Sequence, residues 1–157
     1  MNVTNSATLA AISLADVVAR VESSGNPWAV RYESLHRPLA PYIARMVRVA
    51  VCSYATAQVL CQSSWGLYQI MGDELMALGL GQSPVQYCSD PGIQRFMFQK
   101  YLTVNGLLYA DIPPADFFAP EHEADVLDFA RRYNGPGQPA VYAANLRNAF
   151  ARLSGGA

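Results

Sequence analysis

The stretch Ser63-Ser64-Trp65-Gly66-Leu67-Tyr68-Gln69-Ile70-Met71-Gly72, residues 63–72, is the densest piece of pattern in the chain. Leu67, Ile70, Met71, Leu75 and Leu78 share a face at helical spacing, which predicts a helix over Ser64–Leu78 that Gly79 and Gly81 end. Gly66 allows the helix start to approach another backbone or a ligand closely. Tyr68 and Gln69 offer hydrogen-bonding tips, while the apolar remainder anchors the turn in a core.

Towards the N-terminus, Asn5 or Ser6 is placed to cap a helix over Ala7–Ser23. Its Leu9, Ile12, Val17 and Val21 are spaced as a buried stripe requires, and Gly25 and Pro27 stop it. A second helix is expected over Pro41–Val59, where Ile43, Val47, Ala50, Val51 and Tyr54 recur at three- and four-residue steps. Pro41, Arg45 and Arg48 interrupt this apolar region before it reaches the ~18–20 residues of a membrane span.

Towards the C-terminus, Asp90-Pro91 opens a helix that runs to Asn105-Gly106. Ala110–Pro120 holds three prolines and is expected as a loop. Two more helices follow, Glu121–Tyr133 and Val141–Leu153, the first with acids in its opening turn and Arg131-Arg132 in its last, as the helix dipole favours. No segment keeps the period-two alternation of a strand. The class is therefore mainly α, one domain over residues 1–157 with about six helices and a small hairpin near Trp28–Glu33.

Eleven Lys and Arg stand against twelve Asp and Glu, and 15% of residues are charged, too few and too balanced for a nucleic-acid coat. Apolar residues make up 52%, enough for a packed core and too many for a disordered chain. Cys52, Cys61 and Cys88 form no CxxC pair and read as reduced, mostly buried thiols. Met1–Leu14 lacks the basic region and continuous apolar core of a signal peptide. With two histidines, no HExxH, no GxSxG, no P-loop and no GxGxxG, neither a metal nor a cofactor is called for; Glu121-His122-Glu123 reads as a solvated helical turn. Carboxylate chemistry is what remains.

Glu22 is the carboxylate that stands out. It falls in the last turn of the first helix, just before Ser23-Ser24-Gly25-Asn26-Pro27, where apolar packing and the negative helix end would both raise its pKa. A glutamic acid protonated at neutral pH is what a glycosidase needs to protonate a leaving-group oxygen. Position alone favours the plainer reading, an exposed helix-end carboxylate. Tyr133-Asn134-Gly135, closing the helix over Glu121–Tyr133, is likewise open to reading as packing or as function.

In this order VARVESSGNPWAV (18–30), SSWGLYQIMG (63–72) and FARRYNGPGQ (129–138) resemble the goose-type lysozyme and soluble lytic transglycosylase superfamily. With NGLL (105–108) and YAANLRNAFARL (142–153), the chain looks most like the N-acetylmuramidase domain of phage and bacterial endolysins. Gly66 comes 44 positions after Glu22, more than soluble transglycosylases usually place there. Pro41–Val59 is thus an insertion relative to them, which favours the muramidase or goose-type branch. The serine those enzymes carry six positions before the signature glycine falls here on Leu60, leaving Ser63 or Ser64 as substitutes.

The resemblance implies a lysozyme-like fold and cleavage of the β-1,4 bond between N-acetylmuramic acid and N-acetylglucosamine in peptidoglycan. Glu22 would be the general acid. One course returns the proton to the same carboxylate while the muramic C6 hydroxyl closes a 1,6-anhydro ring. The other needs a second carboxylate roughly 6.5–9.5 Å away to hold a water; Glu33, Asp73 and Asp90 are candidates by position. Of these, Glu33 matches a glutamate that the muramidase family carries after its first helix. Gln69 would bond the acetamido groups, with Ser64 beside it; Tyr133 would orient Glu22, and Asn134 would shape the cleft wall. The implied partners are peptidoglycan strands, with no nucleic acid and no membrane insertion, for a monomer or a virion component. Such a protein would be made in the host cytoplasm and reach the periplasmic wall through a holin or with the virion. The alternative is a lysozyme-fold protein without activity that binds the wall or builds a virion.

Overall fold

The structure, a computed structural model, describes residues 12–109 and 112–155. The expected cap at Asn5 or Ser6 and the Ala110 end of the expected loop lie outside the described residues. Helix α1 (Leu14–Ser23) opens on a reciprocal cap instead. Ser13 Oγ accepts the Asp16 amide at 3.2 Å, and the Ser13 N–H and O–H donate to Asp16 Oδ2 at 2.9 and 2.7 Å. The helix buries Leu14, Ala15, Val17, Val18 and Ala19 and brings Glu22 to its last turn.

The helix expected over Pro41–Val59 is two helices, α2 (Ala40–Ala50) and α3 (Tyr54–Cys61). Val51 takes the left-handed conformation at φ 50° and ends α2. Ser53 then caps α3 by accepting the Thr56 amide at 3.1 Å. Spacing carried the apolar stripe across this break because the stripe continues in both helices.

The stretch 63–72 departs most from expectation. It is not a helix start but a hairpin: β2 (Ser63–Trp65) turns through residues 66–69 into β3 (Ile70–Met71), and α4 (Gly72–Ala77) follows at once. Gly66 at φ 75° and Gln69 at φ 48° are both left-handed, which no α-helix can pass through. β1 (Val30–Tyr32) adds a third antiparallel strand, with Val30 opposite Trp65, Arg31 opposite Ser64 and Tyr32 opposite Ser63. On its other side β2 pairs Ser64 with Met71 and Trp65 with Ile70. The segment near Trp28–Glu33 is therefore the edge strand of a three-stranded sheet whose central strand is wholly buried.

A short helix α5 (Pro84–Cys88) precedes α6 (Pro91–Val104), which Asp90 caps through the amides of Gly92 and Ile93 at 2.9 and 3.1 Å. The expected Ala110–Pro120 loop holds one turn of helix, α7 (Pro114–Phe117), whose proline starts it at little cost. A 3₁₀ turn at Pro120–His122 leads into α8 (Glu123–Tyr133), and α9 (Pro139–Leu153) ends the fold. The mainly α class holds, with nine α-helices among the described residues where about six were expected.

The chain forms two compact units, one of Met1–Val21 with Leu102–Ala157, the other of Glu22–Tyr101. In the second, α2, α3 and α4 pack around Met46, Ala57, Cys61, Leu75 and Met76, and Tyr68 stacks on Phe98 with ring centres 4.2 Å apart. Each fully buried side chain of this kind contributes about 1.5–3 kcal/mol. In the first, α8 packs on α9 over Phe117, Phe129 and Leu146. Cys61 and Cys88 are buried and Cys52 half-buried, all as free thiols; burial pushes Cys61 up to about 12 and Cys88 to about 11. No described helix is long and apolar enough to cross a membrane.

Candidate active site

Two glycines fix the shape of the hairpin. A Cβ at Gly66 would lie 2.3 Å from Gln94 Oε1, and one at Gly72 would lie 2.1 Å from the Leu60 carbonyl oxygen. Side chains are excluded at both, so backbone meets side chain in one case and backbone in the other. The turn between them is closed by Gln69. Its Nε2 donates to the carbonyls of Ala29 and Gly66 at 3.1 and 3.0 Å, and its Oε1 accepts the Ser64 hydroxyl at 2.8 Å. Both amide hydrogens are spent, which offsets the left-handed backbone, and one lone pair of Oε1 is left. Ser64 is 1% exposed and stands behind Gln69, away from solvent.

Glu22 reaches this hairpin through its neighbour. Ser23 Oγ donates to the Leu67 carbonyl at 3.0 Å, tying the end of α1 to the turn. Gln94, fully buried on α6, holds the same turn from the other direction: its Oε1 accepts the Leu67 amide at 2.6 Å, and its Nε2 donates to the carbonyls of Pro27 and Cys88 at 3.2 and 3.0 Å. Sequence reasoning passed over Gln94. The available signal was a glutamine inside the buried stripe Gln94, Met97, Phe98, Leu102, where an amide is retained only if it is bonded.

Of the candidates for a second carboxylate, two are occupied by structure. Asp90 is the cap of α6. Asp73 is 7% exposed; its Oδ1 accepts the Glu74 amide at 3.0 Å and its Oδ2 the His36 Nε2 at 2.8 Å. Glu33, just past the end of β1, keeps a partly exposed side chain paired with Arg31 Nε. The Ser64 hydroxyl, whose one hydrogen goes to Gln69, also lies 3.3 Å from the Arg31 backbone carbonyl; Glu33 is paired with the Arg31 side chain.

Glu74 is the carboxylate that the sequence did not single out. Burial holds it above the usual carboxylate range and the Asp73 charge adds to this, against the opposing effects of the Met71 amide and His36. Burial also pushes the Tyr101 phenol up, with further contributions from the charges of Glu74 and Glu22. Glu22 and Glu74 thus act on one phenol of α6.

Tyr133 and Asn134 lie in the other unit, at the end of α8. The Tyr133 ring is half-buried and stacks between Phe129 and Tyr142, with centres 5.3 and 6.2 Å away. Asn134 is exposed as the C-cap, its amide donating to the Ala130 carbonyl at 3.0 Å. A cavity of about 380 Å³ between Gly79–Gln82 and Ile93, Phe96 and Met97 contains none of these residues. Among the described residues no cluster of His, Cys, Asp and Glu is arranged to hold a metal ion.

The family model described as N-acetylmuramidase matches residues 32–154, a span that contains Glu33, Ser64, Gln69, Tyr133 and Asn134 and begins after Glu22. The endolysin of Enterobacteria phage PRD1 is 32% identical over 141 residues, covering 78% of this chain and 86% of that protein. No solved structure matches the chain.

Proposed function

Because the chain belongs to the N-acetylmuramidase family, we propose that it is a phage lysin that cleaves the β-1,4 bond between N-acetylmuramic acid and N-acetylglucosamine in peptidoglycan, with Glu22 as general acid. The observation that carries the assignment of Glu22 is the Ser23–Leu67 bond, which joins the end of α1 to the hairpin that holds Gln69. An acid on a helix end that is bonded to such a turn would be a preorganised proton donor.

Glu33 is the second carboxylate of this proposal, because Asp73 and Asp90 are committed to bonds within the fold while Glu33 keeps a partly exposed side chain. It would activate a water for attack on the anomeric carbon as the glycosidic oxygen takes the proton of Glu22. Gln69 would accept an acetamido N–H with the remaining lone pair of Oε1, Ser64 orienting it from behind. Tyr133 and Asn134 remain proposed sugar contacts. The protein would act on the wall as a monomer or with a virion.

The test pairs activity with product. Glu22→Gln is expected to abolish turbidity loss of purified cell walls with the helical circular dichroism unchanged; near wild-type lysis would remove Glu22 from the mechanism, and wall binding without lysis by the wild type would favour an inactive binding protein. Mass spectrometry of the released muropeptides separates the two courses, since anhydro products are lighter than hydrolysed ones by one water. Hydrolysed products are expected; anhydro products would make Glu22 the sole carboxylate of a transglycosylase.

A further inference from the structure

Glu33 stands at an awkward place for a residue that must hold a water. It follows the last paired residue of β1, an edge strand whose three residues are all exposed, and side chains on free strand ends are ordinarily poorly fixed. Here the end is bound tightly. The Glu33 amide donates to the Gln62 carbonyl at 2.9 Å, and the His36 amide donates back to the Glu33 carbonyl at 3.0 Å, closing a turn. The Gln62 side chain spans that turn: Nε2 donates to the His36 carbonyl at 2.8 Å and Oε1 accepts the Tyr32 hydroxyl at 3.4 Å. Finally His36 Nε2 donates to Asp73 Oδ2 at 2.8 Å, fastening the turn to the start of α4. A carboxylate only accepts, so this nitrogen carries the hydrogen.

Gln62 is 6% exposed and Asp73 7%. Buried amides and carboxylates are poor sources of stability compared with apolar side chains of the same volume, so two of them converging on one four-residue turn calls for a reason other than stability. We infer that Gln62 and the His36–Asp73 pair are positioning residues for Glu33: together they turn a free strand end into a fixed mount for its carboxylate, which Arg31 then aims. This rests on the reading of Glu33 as the second carboxylate. The pair transfers no proton in the reaction; it acts through the backbone that carries Glu33.

The experiment measures kcat and KM on purified, uncrosslinked glycan strands, with products separated by chromatography, and the thermal midpoint for each variant. His36→Leu keeps the bulk and removes the donor, whereas His36→Gln places an amide N–H where Nε2 stands. Assayed well below the Tm of every variant, His36→Leu is expected to lower kcat about tenfold with KM unchanged, since sub-ångström misplacement of a reacting group acts on the chemical step. Its Tm falls as well, because the buried Asp73 carboxylate loses a partner, and His36→Gln restores it. His36→Gln is expected to return kcat to within about twofold of wild type. Gln62→Met should repeat the loss of kcat; if it fails to fold, the two His36 variants decide alone. A wild-type kcat in His36→Leu, with Glu33→Gln inactive, overturns the positioning role and leaves Glu33 in place. A parallel fall of kcat and Tm that His36→Gln does not restore also overturns it, by showing a structural role. Near wild-type activity in Glu33→Gln removes the second carboxylate itself, and that failure is recognisable because it needs no His36 variant.

Discussion

Gly72 and Glu74, two residues apart, show how far single positions govern this hairpin and the helix after it. Alanine at Gly72 would set its Cβ 2.1 Å from the Leu60 carbonyl oxygen, a backbone atom of α3 that cannot swing aside. Gly72→Ala is therefore expected to cost more than about 2 kcal/mol in urea unfolding, well above the average substitution; an unchanged midpoint would mean the hairpin and α3 lie farther apart. Glu74 carries the opposite kind of strain, because burial raises its pKa in the fold. A raised carboxyl binds its proton more tightly in the folded chain, so the fold is favoured below the unfolded pKa and loses that advantage as pH rises through the folded one. Glu74→Gln, which mimics the protonated form, should raise Tm at pH 7 and leave it unchanged at pH 4 or below, about the unfolded carboxyl value. Equal gains at both values would show that burial of the charge is not the cause.

At the scale of elements, Val51 is the clearest weak point. It ends α2 in the left-handed conformation, which a β-branched residue adopts at a cost of about 1–2 kcal/mol, and it is 89% exposed, so its side chain contributes no packing in return. Val51→Gly should raise Tm by roughly 2–4 °C, the shift about 1 kcal/mol gives in a chain of this size; a lower Tm would mean that the side chain packs after all. The same break explains what the sequence could and could not disclose. Helices α6, α8 and α9 were legible within three residues of their ends because each has a signal of its own, Asp90-Pro91 for one and the charge asymmetry of Glu123 to Arg132 for another. The division between α2 and α3 was hidden because Val51 carries no mark of a left-handed residue. The hairpin over 63–72 was hidden for a related reason: with strands of three and two residues it is too short to display alternation, and its apolar residues fall by chance at helical steps. Of the candidate site, the Ser64–Gln69 contact lies inside one motif and could be read as a pair, but the amides that hold the surrounding turns, Gln62 and Gln94, are ordinary letters until burial is known.

Across the whole molecule the net charge of −1 offers no long-range attraction to an anionic wall, so recognition must come from contacts at short range. Exposed apolar side chains on and before β1 supply a means: Trp28, Val30 and Tyr32 are each about half exposed, at 54, 53 and 54%. Sugar rings present C–H faces that pack on aromatic surfaces, and covering one such ring removes apolar area from water without any charge on either side. Two consequences follow for wall lysis. Its rate should change less than about threefold as salt rises from ~50 to ~300 mM, because screening acts only on charge attraction. Trp28→Ala should raise KM about tenfold with kcat nearly unchanged, the loss of about 1.4 kcal/mol of binding shared by ground and transition states. A steep fall of the rate with salt, together with an unaltered KM in Trp28→Ala, would instead place recognition on the eleven cationic side chains; their even balance against the acids makes that the outcome the composition opposes.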